Sequence, residues 1–460
     1  MSAFDVIVLG GGPGGYVAAE RLGAAGKKVL LVEESRLGGT CLNVGCVPTK
    51  TLLNSAKIYV HAKEGAKFGV KAEGVSYDWG AMQAWKAEVV EKLRNALALT
   101  EKKLGVEVLA ARGRLLGPGK VEARGADGAA TVHEAPAVIV ATGSSPVMPP
   151  IPGCRDNPKV VDSTGLLALP EVPKKLCVIG GGVIGVEFAG LFSSLGSSVE
   201  VVEMMDEIIP FMDKEQAPVM RRAMKGVAFR LGCKVERVEG ATVFYRAKDG
   251  AEAKVEADLV LMAVGRKANT EGWGAKEAGL DVGPKGVAVD DRMRTNLPGV
   301  WAVGDVNGRS QLAHSAYRMA EVAAADMLAD GGEAAAGSRM NYAAVPWVVY
   351  GMPEAAGVGI TEQEAQAKGI AIKKASLPMR VAGRFCAENG FAAPGSVKVI
   401  ADAADERILG VHLVGSYASE MIWGAAALIE RGLRVAEARE LIFPHPTVSE
   451  AIREALWEIR

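Results

Sequence analysis

Apolar runs that end in glycine-rich turns are the most regular pattern in the first half of the chain. The run Phe4 to Leu9 leads into the turn Gly10 to Gly15, which is followed by a stretch compatible with a helix. Another apolar run, Lys28 to Val32, ends at Glu33. This pattern predicts a short buried strand, a tight turn, a helix and a second strand, which is the beginning of a β-α-β unit.

The glycine spacing indicates what such a unit binds. Gly10, Gly12 and Gly15 form G-x-G-x-x-G, which supplies a tight turn, bare backbone where a pyrophosphate approaches a helix N-terminus, and a close contact between helix and strand. Glu33 stands at the end of the next apolar run, where an acid can bind both hydroxyls of a ribose. We therefore predict a dinucleotide site.

The same arrangement recurs near the middle of the chain. The run Leu176 to Ile179 precedes a turn with the same spacing, formed by Gly180, Gly182 and Gly185. Glu203 closes the following apolar run. One such turn is weak evidence, because glycine-rich turns also serve packing alone. Two copies with acids at matching positions predict two dinucleotide-binding units.

Composition narrows the class of protein. At 460 residues the chain is too long for one ordinary core, so several domains are expected. The formal net charge of −1 argues against nucleic acid as the main partner. Charges interrupt the apolar runs before any could span a bilayer, and the N-terminus lacks the pattern of a signal peptide. We expect a cytoplasmic protein with no membrane partner.

Two of the six cysteines, Cys41 and Cys46, lie close together. A structural disulfide framework is not expected in so large a chain of this type, so the pair is either catalytic or metal-binding. Metal is the weaker alternative, because no second Cys/His pair at ligand spacing accompanies the cysteines, and we predict no metal site. The remaining cysteines are expected to be small core residues: Cys154, Cys177, Cys233 and Cys386.

Further motifs, taken with the two fingerprints, carry a family resemblance. They are Gly38 to Lys50 around the cysteine pair, Ala141 to Ser144, Val264 to Asn269, Thr295 to Asp305, and His445-Pro446-Thr447 followed by Glu450. With them, essentially the whole chain resembles the flavin-dependent pyridine nucleotide disulfide oxidoreductases. Within these, it is most similar to the dihydrolipoamide dehydrogenase branch.

The resemblance implies an α/β fold with two Rossmann-like dinucleotide-binding domains, for FAD and NAD, plus a C-terminal α+β dimerisation domain. The expected domains are 1–149 for FAD, 150–272 for NAD, 273–339 as a central segment completing the FAD-binding region, and 340–460 as the interface domain. Prolines from Pro146 to Pro152 favour a linker at the first boundary. Small polar residues at 330–338 favour a flexible connection at the last.

The resemblance also implies roles for the redox residues. Cys41 would be the thiol that meets substrate, and Cys46 the sulfur that contacts the flavin. Lys50, one helical turn after Cys46, would tune the flavin while paired with Glu187. A lone lysine is more often a solvated surface charge, and only the surrounding motif favours the redox role.

His445 is implied as the proton carrier, because a histidine exchanges protons near neutral pH. Glu450 would orient its imidazole. The segment Thr447 to Glu450 also fits a helix capping box, in which Glu450 bonds only to the backbone of Thr447. A carboxylate has two oxygens, so both arrangements can hold.

The two fingerprints are expected to bind different nucleotides. The residues implied for FAD are Gly10, Gly12, Gly15, Glu33, Lys50, Thr142, Gly143, Ser144, Asp305 and Ala313. Those implied for the nicotinamide nucleotide are Gly180, Gly182, Gly185, Glu203 and Gly265. Glu203 would repel a 2′-phosphate and no arginine directly follows it, which favours NAD over NADP.

The implied reaction is the oxidation of dihydrolipoamide to lipoamide with reduction of NAD⁺. The enzyme would be a homodimer, and its partners a lipoyl-bearing protein and the core acyltransferase of a 2-oxo-acid dehydrogenase complex, or the lipoyl carrier of glycine cleavage. The alternatives are an NADPH-dependent disulfide or mercuric reductase and a flavoprotein that chiefly docks as a scaffold. The chain departs from the family at Gly351-Met352, at Pro444 and from Ser315 to Met319, which bears on the substrate channel and partner surface.

Overall fold

The structure is a computed structural model that describes residues 4–329 and 338–460. The connection predicted at 330–338 falls, except for Ser338, outside the described residues. The chain divides into two compact units. The first contains Met1–Thr51, Ala81–Val147 and Arg266–Met340, and the second contains Leu52–Gly80, Met148–Gly265 and Asn341–Arg460.

The secondary structure alternates between the two types throughout the described residues. The strands, in chain order, are β1 (Val6–Leu9), β2 (Val29–Glu33), β3 (Glu107–Ala110), β4 (Arg112–Gly117), β5 (Lys120–Arg124), β6 (Ala130–Glu134), β7 (Ala137–Val140), β8 (Ser144–Pro146), β9 (Val160–Val161), β10 (Lys175–Ile179), β11 (Ser198–Val202), β12 (Val227–Arg230), β13 (Lys234–Glu239), β14 (Thr242–Arg246), β15 (Glu252–Glu256), β16 (Leu259–Met262), β17 (Arg266–Ala268), β18 (Val300–Ala302), β19 (Trp347–Val349), β20 (Ala355–Gly359), β21 (Ile372–Pro378), β22 (Ser396–Asp402) and β23 (Ile408–Val414). The helices are α1 (Pro13–Ala24), α2 (Gly39–Val44), α3 (Cys46–Glu64), α4 (Trp79–Lys103), α5 (Ser163–Leu167), α6 (Val183–Ser194), α7 (Ala217–Ala223), α8 (Ala313–Leu328), α9 (Glu362–Ala367), α10 (Gly383–Asn389), α11 (Ala418–Glu430), α12 (Val435–Arg439) and α13 (Glu450–Glu458). Short 3-10 helices lie at Gly65–Phe68, Gly304–Asn307, Tyr342–Ala344 and Met379–Val381.

A parallel sheet forms the centre of the first unit, in the order β18-β7-β1-β2-β3. Every residue of β1 is buried, as expected for a central parallel strand. Helix α1 packs on α8, where the Tyr16 and Tyr317 hydroxyls are 2.7 Å apart. The late strand β18 pairs with β7, so the chain returns to this sheet after leaving it.

The second unit repeats the plan. Its parallel sheet has the order β12-β11-β10-β16-β9, and α6 follows β10 as α1 follows β1. The C-terminal part of this unit is a five-stranded antiparallel sheet in the order β19-β20-β23-β22-β21. Helices α11 and α13 pack on this sheet and share its apolar core.

The predicted fold class is confirmed, while some details differ. The last strand of the second parallel sheet, β16, ends at Met262, and the next residue, Ala263, still donates its N–H to the Ile179 carbonyl at 2.8 Å. Cys386 is only partly buried, so it is not the core residue that was predicted, whereas Cys154, Cys177 and Cys233 are buried. Within the described residues, no helix combines the length and apolar composition needed to cross a membrane.

Glu101 is an unusual member of the core of the first unit. Its side chain is fully buried near the end of α4, and neither carboxyl oxygen has a hydrogen-bond partner among the described residues. Burial, and secondarily the charge of Glu20 on α1, raises the pKa of Glu101 to about 8. The folded protein therefore retains a proton that the unfolded chain releases at lower pH. This group lowers stability progressively as the pH rises from about 4.5 to about 8.

We expect Glu101→Leu to melt at a higher temperature than the wild type, by a margin that widens between pH 5 and pH 8. Removing an unpartnered buried carboxyl corresponds to a gain on the order of 1–3 kcal/mol at the upper pH. Thermal unfolding across this pH range measures the effect. Glu91→Leu, at an exposed position of the same helix, is the control and should track the wild type. Parallel pH profiles for wild type and Glu101→Leu would contradict the assignment.

Candidate active site

Cys41 and Cys46 form a disulfide, with their Cα atoms 4.6 Å apart. Residues five apart in an unbroken helix point about 140° away from each other, so a continuous helix could not join them. The helix is instead interrupted between the two cysteines. Cys41 lies in α2, Cys46 begins α3, and Gly45 between them has a non-helical conformation. A Cβ at position 45 would lie 2.9 Å from the Thr40 carbonyl oxygen, which favours glycine there.

Asn43, between the two cysteines, fixes the segment that carries them. Its Nδ2 donates to the carbonyl oxygens of Leu37 at 3.0 Å and Gly39 at 2.9 Å. Its Oδ1 accepts from Arg94 Nη1 at 3.3 Å. Sequence reasoning missed this residue. The available signal was a lone amide side chain inside an otherwise apolar and glycine-rich motif.

The first fingerprint has the geometry of a nucleotide cradle. Gly10 has a φ of +101°, and a Cβ at Gly15 would lie 1.8 Å from the Gly10 carbonyl oxygen, so both positions need glycine. A Cβ at Gly12 would meet only the Gly39 Cα, at 3.8 Å. Glu33 accepts from the Gly11 N–H at 2.6 Å through one carboxylate oxygen, while the other bonds to a neighbouring backbone N–H. Its remaining lone pairs can still accept from ribose hydroxyls.

The second fingerprint repeats this geometry. Gly180 has a φ of +106°, and a Cβ at Gly185 would lie 2.0 Å from the Gly180 carbonyl oxygen. At Gly182 a Cβ would meet nothing within 4 Å. Glu203 accepts from the Gly181 N–H at 2.5 Å, and its other oxygen accepts from the backbone N–H two residues later at 2.7 Å. The repeat inferred from sequence is thus an equivalent set of hydrogen bonds.

Asp305 lies in a polar cluster at the carboxyl ends of β7 and β18. Its Oδ2 accepts from the Ser144 hydroxyl at 2.5 Å, and Arg266 Nε donates to that hydroxyl at 2.8 Å. Burial raises the pKa of Asp305, while the Ser144 hydroxyl and the Arg266 charge act in the opposite direction. Arg266 was part of a sequence motif but was not predicted as a site residue.

Asn269, also missed, holds the turn at Thr142 and Gly143. Its Nδ2 donates to the Thr142 carbonyl at 2.9 Å, its backbone N–H donates to the Gly143 carbonyl at 2.9 Å, and its own carbonyl accepts from the Thr142 hydroxyl at 2.9 Å. The glycine cradle, the ribose-type acid and the partly buried Asp305 lie in one unit with the disulfide. These residues fit a flavin dinucleotide.

Other predicted residues take separate positions. Lys50 is partly buried on α3, one turn after Cys46, and Ala313 begins α8. Glu187 is buried on α6, where its Oε1 accepts from the Tyr350 N–H at 2.9 Å. Gly265, with a φ of +114°, follows β16. The pairing of Lys50 with Glu187 stays a prediction.

His445 and Glu450 lie together as expected from the sequence. His445 Nδ1 is 2.8 Å from Glu450 Oε1, and the imidazole is 80% exposed. The hydrogen bond with His445 is the main cause that lowers the pKa of the Glu450 carboxyl, and the hydrogen bond from the Thr447 N–H lowers this pKa further. Glu450 Oε2 accepts from that N–H at 3.0 Å, so the carboxylate serves both groups. Helix α13 begins at Glu450 with Ser449 as its N-cap, so Thr447 does not occupy the cap position of the predicted capping box, and its hydroxyl donates to the Pro444 carbonyl.

Comparison with known proteins places this geometry in context. Residues 4–320 match the family model described as pyridine nucleotide-disulphide oxidoreductase, and residues 345–456 match the dimerisation domain of the same family. A protein named dihydrolipoyl dehydrogenase 3 from Pseudomonas putida is 39% identical, covering 100% of this chain and 98% of its own. Dihydrolipoyl dehydrogenase from Thermus scotoductus is 40% identical over 99% of this chain and 97% of its own.

Solved structures show the same likeness along the whole chain. LpdA from Mycobacterium tuberculosis superposes with a TM-score of 0.89 at 28% identity, covering 99% of each chain. The HOCl-induced flavoprotein disulfide reductase RclA from Escherichia coli superposes with a TM-score of 0.86 at 30% identity, covering 99% of this chain and 100% of its own.

The glycines of the second fingerprint generate a prediction that separates binding from packing. Gly182→Ala should leave the melting temperature near that of the wild type, because its methyl group meets no neighbour, yet weaken nicotinamide nucleotide binding at least about tenfold by blocking the pyrophosphate. Gly185→Ala should lower the melting temperature, because its methyl group overlaps the Gly180 carbonyl. Calorimetric titration with NADH and thermal unfolding test both. Unchanged affinity in Gly182→Ala would exclude the proposed pyrophosphate position.

Proposed function

Because the chain belongs to the pyridine nucleotide-disulphide oxidoreductases, we propose that it is a dihydrolipoamide dehydrogenase. The reaction is dihydrolipoamide plus NAD⁺ to lipoamide, NADH and a proton. The observation that carries the proposal is the Cys41–Cys46 disulfide, in one unit with a dinucleotide cradle, in a chain alignable end to end with dihydrolipoyl dehydrogenases.

The disulfide supplies the first part of the chemistry. A substrate thiolate attacks Cys41 Sγ, which breaks the Cys41–Cys46 bond and releases Cys46 as a thiolate. The second thiolate of the substrate then attacks the substrate sulfur of the mixed disulfide. This forms lipoamide, which leaves, and Cys41 becomes a thiolate. The substrate has lost two electrons, and the cysteine pair has gained them. Bound FAD would supply the transfer of this electron pair, together with one proton, to NAD⁺ as a hydride, and the Cys41–Cys46 disulfide would form again.

His445 takes up the proton that the substrate thiol must lose. Glu450 holds Nδ1, so Nε2 is the nitrogen available to a thiol. A carboxylate on Nδ1 also stabilises the imidazolium while the proton is held. Lys50, one turn from Cys46, would keep a positive charge near the developing thiolate, with Glu187 as its proposed partner.

The residues of the second fingerprint favour NAD. Glu203 is 8% exposed and already ordered by two backbone N–H groups, so a 2′-phosphate would meet a fixed negative charge. Lys248 lies in the connection between β14 and β15, and its Nζ is already paired with Asp206 Oδ1 at 2.7 Å.

A second candidate is a disulfide reductase that runs in the opposite direction with a reduced nicotinamide nucleotide. The structural likeness to RclA, named a flavoprotein disulfide reductase, favours it. The higher identity to dihydrolipoyl dehydrogenases and the position of Glu203 favour the first candidate. The Cys46→Ser variant distinguishes a scaffold role from both enzymatic candidates, because a scaffold would keep its function after this substitution.

We further propose a cytoplasmic homodimer with domains at 1–149, 150–272, 273–339 and 340–460. The match of residues 345–456 to a dimerisation domain supports the homodimer. The proposed partners are a lipoyl-bearing protein with the core acyltransferase of a 2-oxo-acid dehydrogenase complex, or the lipoyl carrier of glycine cleavage. The names of the relatives support this class of partner without selecting one.

We expect dihydrolipoamide to be oxidised with NAD⁺ at a kcat/KM at least about a hundredfold above that with NADP⁺, because Glu203 opposes the extra phosphate. Steady-state assays with dihydrolipoamide, glutathione disulfide and mercuric ion, each with both nicotinamides, decide between the candidates. Faster turnover of glutathione disulfide or mercuric ion with NADPH would overturn the proposal. Glu203→Gln should narrow the preference for NAD⁺.

We also expect His445 to serve the cysteine pair of the partner subunit. Loss of a general base typically costs about 10²–10⁴-fold in rate, so the His445→Gln and Cys41→Ser homodimers should be nearly inactive. After subunit exchange, each mixed dimer carries both lesions at one site and none at the other, so up to about half of wild-type activity should return. Exchange proven by mass without recovered activity would place His445 and Cys41 in the same chain's site.

A further inference from the structure

A buried charge cluster lies in the second unit and includes none of the predicted site residues. Lys398 on β22 is fully buried, with its Nζ 3.1 Å from Asp213 Oδ1, 3.0 Å from Glu215 Oε2 and 2.5 Å from Glu362 Oε2. Lys374 bonds to the same two glutamates from the rim and is partly exposed. An unpaired lysine at such a position would be very costly, so the cluster fixes the geometry of its members.

The cluster holds the segment 207–216, which lies between the second fingerprint's acid and α7. Asp213 also accepts from the Glu362 N–H at 3.1 Å. Gln363 Nε2 donates to the Met212 carbonyl at 2.8 Å, and Gln216 Nε2 donates to the Ser396 hydroxyl at 3.0 Å. The antiparallel sheet and the start of α9 thus hold one end of this segment at several points.

The other end of the segment touches the fingerprint itself. The Ile209 N–H donates to the Gly181 carbonyl at 2.9 Å, while the Gly181 N–H is bound by Glu203. Ile209 has a φ of +47°, a left-handed conformation that a β-branched residue rarely adopts. Such a residue persists only where its surroundings over-determine it, and the fixed end at Asp213 supplies that restraint.

We propose that Lys398 is a positioning residue for the nicotinamide nucleotide, acting through Asp213 and the strained Ile209 on the Gly181 backbone. The proposal rests on the assignment of Gly180 to Gly185 as the nicotinamide site. Loss of the lysine leaves the buried Asp213 carboxylate without its cation, so the 207–216 segment moves and the Gly181 peptide loses its restraint. Nucleotide affinity then falls, while the chemistry at Cys41 and Cys46 does not change.

The experiment compares two lysines of the same cluster by the same substitution. Lys398→Met should raise the Kd for NADH at least about tenfold, measured by titration of the dimeric holoenzyme. Lys374→Met removes a cation that does not contact Asp213, and its Kd should stay within about twofold of the wild type. Both variants should yield the wild-type amount of Cys41 and Cys46 thiols after dihydrolipoamide treatment, as quantified by alkylation and mass spectrometry.

Two further variants separate positioning from stability. Asp213→Asn keeps the side-chain size but breaks the ion pair, and it should raise the NADH Kd even if Lys398→Met does not fold. Asp326→Asn disrupts a buried ion pair with Arg294 in the first unit, so it should lower the melting temperature without changing the Kd.

An unchanged Kd in folded Lys398→Met and in Asp213→Asn would show that the cluster is only structural and overturn the proposal. A wild type that binds NADH but does not oxidise dihydrolipoamide would refute the proposed reaction alone. A wild type that does not bind NADH at all would refute the nicotinamide site and the role of Lys398 together.

Discussion

The close approach of one glycine to the carbonyl of another is the constraint on which both nucleotide cradles depend. At Gly15 and Gly185, a side chain would overlap the carbonyl oxygen of the glycine that opens the turn. Because glycine has no side chain, each helix starts directly against its strand, and its free N–H groups are available to the pyrophosphate that we propose binds there. Each turn is also bonded to the acid at the end of the next apolar run. Gly11 donates to Glu33 in the first turn, and Gly181 donates to Glu203 in the second.

The redox pair is connected to the first cradle through a short chain of contacts. A Cβ at Gly39 would lie 2.6 Å from the Gly12 Cα, so the segment that leads into Cys41 packs directly on the fingerprint. Asn43 holds that segment by its backbone, and Gly45 then breaks the helix so that Cys46 can reach Cys41. The position of the disulfide therefore follows from the position of the nucleotide turn.

Buried charge is used differently in different parts of the molecule. Asp326 and Lys398 are buried with partners, at Arg294 and at Asp213 respectively, and such groups fix geometry more than they add stability. Glu101 is buried without a partner among the described residues and lowers stability at neutral pH. Lys398 is also connected, through Asp213 and the 207–216 segment, to the second fingerprint.

The sequence by itself determined the features that depend on residues close together in the chain: the glycine spacing, the acids after each strand, the cysteine pair and the bond between His445 and Glu450. Their geometry is local, so spacing together with the family resemblance was sufficient to predict it. The tertiary structure alone decided which distant residues meet. Lys398 and Asp213 are 185 positions apart in the sequence, and no local sequence pattern predicts that a lysine in a strand is buried. Likewise, Asn269 reaches Thr142 and Arg266 reaches Ser144 only because two strands far apart in the chain, β8 and β17, pair antiparallel.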